Sequence, residues 1–67
     1  MFDKNKLKAK MVEKGYSIEQ IAQKLGVNPG TVYRKLSGDN EFTRNEIAML
    51  KSILGLTIEE IDNIFFS

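Results

Sequence analysis

The sequence predicts an all-α fold of five helices, and three observations support this prediction. Five segments each begin with a capping residue that lies between two apolar residues five positions apart, the arrangement known as a hydrophobic staple. A glycine, the residue that most often ends a helix, follows each of the first four segments. No segment alternates apolar and polar residues as a half-buried strand would. The predicted helices span residues 3–14, 17–25, 29–37, 43–54 and 57–65.

Each helix start carries its own local signal. Ser17, Thr43 and Thr57 have Gln or Glu three residues later, which completes a capping box in which side chains and backbone amides bond reciprocally. Each cap is worth about 1 kcal/mol, which matters in a chain whose core is small. The caps are Asp3, Ser17, Asn28, Thr43 and Thr57, and the staples pair Phe2 with Leu7, Tyr16 with Ile21, Val27 with Val32, Phe42 with Ile47, and Leu56 with Ile61.

Apolar residues recur at helical spacing and predict which face of each helix is buried. Phe42 is expected to close the core on the side of the loop before the fourth helix. The predicted interior consists of Leu7, Met11, Ile18, Ile21, Ala22, Leu25, Val32, Leu36, Ile47, Leu50, Ile53, Leu54, Ile58 and Ile61.

The composition limits the chemistry that the chain can perform. Its 67 residues are expected to form one domain, residues 1–67, without repeats or a linker. With no Cys and no His, the chain lacks thiolate metal ligands and the commonest general base. We therefore expect no metal, no cofactor and no small-molecule ligand. Neither a signal peptide nor an apolar run of about 20 residues is visible, which predicts a cytoplasmic protein that contacts no membrane.

Residues 17–38, SIEQIAQKLGVNPGTVYRKLSG, predict two helices joined by a break of about four residues. Gly26 is expected to end the first helix, and Asn28 with Pro29 to start the second. This is the pattern of a helix-turn-helix, although an ordinary pair of amphipathic helices shows similar faces. The residues expected to stay exposed on the second helix are Pro29, Gly30, Thr31, Arg34 and Lys35.

The segment resembles the helix-turn-helix of the phage Cro and lambda-repressor-like (XRE-type) family of DNA-binding domains. By the order of its helices, the resemblance covers nearly the whole chain. It implies sequence-specific binding of double-stranded DNA, with the helix at 29–37 in the major groove. It further implies a transcriptional regulator of the phage or prophage repressor type.

The same resemblance implies roles for individual residues. In similar proteins the start and the middle of the motif's second helix read bases, and residues around the start of the fourth helix touch the DNA backbone. Arg34 is the main candidate, because its guanidinium can donate two hydrogen bonds to guanine. The implied base contacts are Asn28, Pro29, Gly30, Thr31, Tyr33 and Arg34, and the implied phosphate contacts are Ser17, Lys35, Asn40, Arg44 and Asn45.

The start of the second helix departs from that family, in which many members carry Ser or Gln there. Pro29 and Gly30 offer almost no side chain to a base. Gly30 either lets the backbone come close to DNA or is tolerated at an exposed position, at a cost of about 1 kcal/mol relative to Ala. Tyr33 either contacts DNA or is partly buried beside Val32.

The charge is divided along the chain. Residues 1–36 hold eight cations and three carboxylates, a net charge of +5, whereas residues 37–67 hold two cations and six carboxylates, a net charge of −4. A basic half that contains the recognition helix would orient the molecule towards phosphates. Taken singly, each lysine of the first helix is better explained as a solvated surface residue, and only the sum of the charges favours a phosphate-binding face.

Two further predictions concern partners. A domain of this size covers one half-site, so we expect a homodimer through the C-terminal segment, in which Phe66 with Ile64 or Phe65 forms the contact. A terminus that is frayed or that continues into a longer protein explains the same residues. The alternative function is a protein-binding helical module, antitoxin-like or anti-repressor, that uses the same surface.

An enzyme is the weakest interpretation of the sequence. Without His or Cys, catalysis would need a pair of carboxylates such as Glu59 with Glu60 or Asp39 with Glu41. The first pair lies at a helix start and the second in a loop, where capping and solvation explain them. We therefore predict no catalytic residues.

Overall fold

The computed structural model describes residues 1–67 and contains helices only. The all-α prediction and the five helices are confirmed, and four of them begin one residue after the predicted start, because that residue is the cap. The fifth helix continues directly into a π-helical turn. The elements are α1 (Lys4–Lys14), α2 (Ile18–Leu25), α3 (Pro29–Ser37), α4 (Arg44–Leu54), α5 (Ile58–Ile61) and the π-helical turn (Asp62–Phe66).

Side-chain caps start four of the helices as predicted. Asp3 accepts hydrogen bonds from two amides of α1. The three predicted capping boxes are all reciprocal, and they pair Ser17 with Gln20, Thr43 with Glu46, and Thr57 with Glu60.

The start of α3 differs from the prediction. The side chain of Asn28 makes no capping hydrogen bond. Pro29 has no amide to satisfy, and the amide of Thr31 donates to the backbone carbonyl of Asn28 at 2.9 Å. Backbone geometry therefore starts this helix, which leaves the exposed Asn28 side chain available for other contacts.

Glycine ends each of the first four helices in the left-handed conformation, as predicted. Gly26 is the one that matters for the site. With φ of 76° it closes α2, and its amide donates to the carbonyls of Ala22 and Gln23. A residue with a Cβ adopts this conformation only at a cost of about 1–2 kcal/mol, so Gly26 permits the tight turn into α3.

The core is formed by twelve apolar side chains drawn from α1 to α4, the α4–α5 turn and the π-helical turn. Leu50 is completely buried at its centre. Five predicted core residues, Ile18, Phe42, Ile47, Ile53 and Ile61, are only partly buried and pack against this core. The fully buried members are Leu7, Met11, Ile21, Ala22, Leu25, Val32, Leu36, Leu50, Leu54, Leu56, Ile64 and Phe65.

One core prediction was wrong. Ile58 is 78% exposed, although the helical pattern placed it inside. It is the first residue of α5, and the staple instead directs Leu56, before the cap, and Ile61, after it, towards the core. The side chain of Ile58 therefore points to solvent, while Ile61 at the other end of α5 packs against the core.

The C-terminal residues divide between core and surface. Ile64 and Phe65 are buried within their own chain, while Phe66 is 63% exposed. Phe65 belongs to an aromatic cluster with Phe2 and Phe42, whose ring centroids lie 5.5 to 5.8 Å apart. The prediction that Ile64 or Phe65 contacts a second copy is therefore wrong, because both side chains are already used in folding.

Candidate nucleic-acid interface

The α2–α3 pair has the geometry of a helix-turn-helix. The amide of Val27 donates to the carbonyl of Ala22 at 3.0 Å, which holds the turn against α2. Val32 and Leu36 bury the inner face of α3 against the core. The outer face of α3 is left to solvent. Of the residues predicted to be exposed on this helix, Pro29, Gly30 and Arg34 are exposed, whereas Thr31 is half-buried and Lys35 is buried.

Five of the six residues predicted to contact bases are exposed to solvent. Tyr33 is 52% exposed, and Thr31 is half-buried. The prediction that Tyr33 is partly buried and the prediction that it can reach a ligand are thus compatible. The exposed members of the set are Asn28, Pro29, Gly30, Tyr33 and Arg34.

Arg34 lies along α3 towards the start of the helix. Its Nη2 donates to Oγ1 of Thr31 at 3.3 Å. A Cβ on Gly30 would lie 3.6 Å from Nη1, so the guanidinium passes over the space that the glycine leaves. No carboxylate pairs with Arg34, and most of its five donors are free for an acceptor such as a guanine edge or a phosphate.

Lys35 is buried, contrary to the prediction that it is exposed and contacts a phosphate. The residue is only 9% exposed. Its Nζ lies 2.9 Å from Oε1 of Glu46 and donates to the carbonyl of Glu41 at 3.0 Å. The ammonium also lies 5.9 Å from the ring centroid of Phe42. Lys35 follows Val32 by three residues and so leans towards the buried side of α3, where its long stem reaches α4.

Opposing effects act on the pKa of Glu46. Burial alone would raise the pKa of the carboxyl. Hydrogen bonds from the Thr43 amide and the Lys35 ammonium outweigh burial, and the pKa falls below its ordinary value. The carboxylate of Glu46 is therefore stabilised in its ionised form, in which it pairs with Lys35.

The predicted phosphate contacts other than Lys35 are exposed and lie at three places. Ser17 caps α2, where its hydroxyl accepts from the amide of Gln20 at 3.1 Å. Asn40 lies against the end of α3, because its amide and that of Asp39 donate to the carbonyl of Arg34. Arg44 and Asn45 are in the first turn of α4.

The structure does not bring all of these residues together. Asn40 is held next to α3, whereas Arg44 lines a hollow with Lys51 and Phe66 on the side of the C-terminal turn. The side-chain amide of Asn45 points along α4 to the sulfur of Met49, at 3.8 Å. Three of the predicted contacts thus follow one another along the loop and the start of α4 without sharing one pocket.

The lysines of α1 are not equivalent. Lys10 forms ion pairs with Glu13, at 3.4 Å, and with Glu60 of α5. The hydrogen bond from Lys10 and that from the Thr57 amide lower the pKa of Glu60 to about 2. Lys4, Lys6 and Lys8 are exposed and have no such partner.

No three carboxylates come together in a way that could hold a metal ion. No helix is both long enough and apolar enough to cross a bilayer.

The comparisons with known proteins agree with the geometry of α2 and α3. A family model described as the helix-turn-helix domain of resolvase matches residues 5–39, just over half of the chain, from α1 to the residue after the α3 cap. Neither a curated protein nor a solved structure matches the chain. The match covers both helices of the motif and the turn between them. The chain therefore belongs to the resolvase helix-turn-helix family and is a DNA-binding domain of that kind.

Proposed function

We propose that this protein is a cytoplasmic transcriptional regulator that binds double-stranded DNA sequence-specifically, with α3 in the major groove. In particular, we propose a repressor of the Cro and lambda-repressor-like kind found in phages and prophages, and not an enzyme. The observation that carries the proposal is the outer face of α3, where Arg34 has no carboxylate partner.

Arg34 is proposed to read a guanine. Its free donors match the O6 and N7 acceptors of that base, a contact worth about 1–3 kcal/mol of discrimination. Thr31 supports it, because the hydrogen bond to Nη2 limits the directions that the guanidinium can take. The remaining proposed base contacts are Asn28, Pro29, Gly30 and Tyr33.

Four exposed residues are proposed to contact phosphates. Ser17 lies at the start of α2, where backbone amides and the helix dipole favour an anion. Asn40, Arg44 and Asn45 follow α3 along the chain. Lys35 is excluded from this group because its ammonium is buried against Glu46.

A homodimer through Phe66 is also proposed. Specific readers of this kind pair so that two helices enter the major groove about 34–36 Å apart. Phe66 is the exposed aromatic residue at the C-terminal turn, beside the hollow lined by Ile47 and Ile61. Phe66→Asp is expected to abolish dimer formation in sedimentation equilibrium and to weaken operator binding. An unchanged mass and affinity would refute this contact.

The function is tested by selecting bound duplexes from a random DNA library at moderate salt. The wild-type protein is expected to enrich an inverted repeat, and Arg34→Ala is expected to lose the base preference. Arg44→Ala is the matched control. It also removes an arginine side chain, but one that is proposed to contact phosphate, so it should weaken binding without changing the motif.

Two results would contradict the proposal. Enrichment of the same motif by Arg34→Ala would show that Arg34 does not read bases. No enrichment by a wild-type protein that is folded by circular dichroism would favour the alternative, a helical module that binds an acidic protein. Binding to such a partner should depend weakly on salt, because no condensed counterions are released.

A further inference from the structure

Lys35 is the only charged residue that is buried, and all of its polar partners lie beyond α3. Its Nζ bonds to the carbonyl of Glu41 in the loop and pairs with Glu46 in the first turn of α4. The ring of Phe42, also in the loop, lies beneath the same ammonium. One side chain of α3 thus holds the segment of residues 41–46.

Glu46 takes part in two interactions through a single oxygen. Its Oε1 accepts from the backbone amide of Thr43 at 2.8 Å, which caps α4, and lies 2.9 Å from the Nζ of Lys35. The carboxylate therefore connects the start of α4 directly to α3. Loss of its charge would weaken both contacts together.

The loop is fixed at both ends. At its start, the amides of Asp39 and Asn40 donate to the carbonyl of Arg34, at 3.0 and 3.4 Å. At its far end, Lys35 holds Glu41 and Glu46. Arg34 and Lys35 are neighbours in α3, so the last turns of the recognition helix anchor the whole connection.

Stability alone does not account for a charged residue at this position. A buried ion pair is often no more stabilising than apolar side chains of similar volume, because both charges must be desolvated. What the pair supplies is a defined geometry, since the ammonium must meet one carboxylate oxygen and one carbonyl. Such a pair sets the position of one element relative to another.

We propose that Lys35 is a positioning residue for DNA binding, which through Glu46 and the Glu41 carbonyl places Asn40, Arg44 and Asn45 at the phosphates flanking the bases that Arg34 reads. The inference rests on the proposed function. It differs from a direct phosphate contact by Lys35, in which the ammonium would leave Glu46 when DNA binds.

The two roles predict opposite effects of Glu46→Gln. If Lys35 positions the loop, replacing the carboxylate with a neutral amide weakens both contacts at Oε1, loosens the loop and weakens binding, even though removal of a negative charge favours DNA electrostatically. If Lys35 contacts phosphate directly, the same substitution frees its ammonium and binding becomes tighter or stays the same.

The experiment measures the affinity of the wild-type protein and its variants for the selected duplex at several salt concentrations. For Glu46→Gln we expect affinity to fall about tenfold, equivalent to about 1.4 kcal/mol, with the preferred motif retained. The salt dependence should become shallower by about one unit of slope, because Arg44 is the cation on the released segment. Thermal unfolding followed by circular dichroism ensures that every measurement is made on folded protein.

Glu60→Gln is the matched control. Glu60 occupies the same third position of a capping box, and it also pairs with a lysine, but it lies in α5. Its substitution should change stability without weakening DNA binding and without making the salt slope shallower, because it removes a negative charge and frees Lys10. A second variant, Lys35→Met, fills the site without charge and should reproduce the loss seen for Glu46→Gln.

Binding by Glu46→Gln that equals or exceeds that of the wild type, or equal losses for Glu46→Gln and Glu60→Gln, would overturn the inference. Failure of the wild-type protein to enrich any duplex would instead overturn the proposed function, so the two failures are distinguishable.

Discussion

Lys10 of α1 and Glu60 of α5 form an ion pair that joins the basic half of the sequence to its acidic half. Lys35 and Glu46 do the same between α3 and α4. Two of the eight cations in residues 1–36 are thus neutralised by carboxylates from residues 37–67. The positive charge that the protein presents to DNA is therefore smaller than the sequence suggests, and it comes from the cations that remain unpaired.

The first prediction separates two lysines of α1. Lys8→Ala should make the salt dependence of DNA binding shallower, because Lys8 is exposed and unpaired. Lys10→Ala should leave the slope unchanged and lower the melting temperature, because it removes the partner of Glu60. The slopes are obtained from titrations of the selected duplex between low and moderate salt. A slope for Lys8→Ala equal to that of the wild type would remove Lys8 from the interface.

The second prediction concerns acid. The folded-state pKa of Glu60 is about 2, below the ordinary value of 4.5, so between these values the unfolded chain binds more protons than the folded one. The stabilisation is complete above the unfolded pKa and is lost as pH falls towards 2. Glu60→Gln should therefore flatten the dependence of melting temperature on pH in this window. An equally steep fall in the variant would show that Glu60 is not responsible.

The third prediction decides between the two explanations of Gly30. Its φ is not positive, and a Cβ would make an ordinary contact of 3.6 Å with Arg34. Gly30→Ala should therefore stabilise the fold by about 1 kcal/mol. Weaker DNA binding by this more stable variant would indicate close approach of the backbone to DNA, whereas unchanged binding would indicate a tolerated glycine.

The control for Gly30 is Gly26, which has φ of 76°. Gly26→Ala should destabilise the protein by about 1–2 kcal/mol. Urea unfolding of both variants gives the comparison, and destabilisation by Gly30→Ala would contradict the prediction.

The fourth prediction compares adjacent phenylalanines. Phe65→Ala should cost about 3–5 kcal/mol, because the ring is buried in the core. Phe66→Ala should change the stability of the monomer by less than about 1 kcal/mol, because its ring is largely in solvent. Chemical unfolding at low protein concentration measures both. Similar losses would show that Phe66 also belongs to the core.

Helix boundaries could be predicted because their signals are local. The capping boxes of Ser17, Thr43 and Thr57 involve residues three positions apart, and all three form. The role of Lys35 could not be predicted in this way, because it depends on a contact between distant positions in the sequence. Its partner Glu46 lies in the next helix and was already accounted for as part of a capping box, so no short-range pattern connected the two.

The C-terminal residues were misassigned for a different reason. The prediction continued α-helical spacing to residue 65, whereas the chain forms a π-helical turn over Asp62–Phe66. The wider turn allows Ile64 and Phe65 to enter the core together and leaves Phe66 outside. Sequence periodicity cannot show such a change of pitch, because apolar neighbours read the same in either helix.

The three capping boxes differ in one respect that affects how the protein comes apart. Those of α4 and α5 close with the carboxylates Glu46 and Glu60, while that of α2 closes with the neutral amide of Gln20. Acid therefore protonates the carboxylates that cap α4 and α5 and weakens these two helix starts, whereas the capping box of α2 has no carboxylate to protonate. In hydrogen exchange at low pH, amides should lose protection first in α5 and α4. Amides at the start of α2, whose capping box contains no carboxylate, should keep their protection to lower pH than those at the starts of α4 and α5.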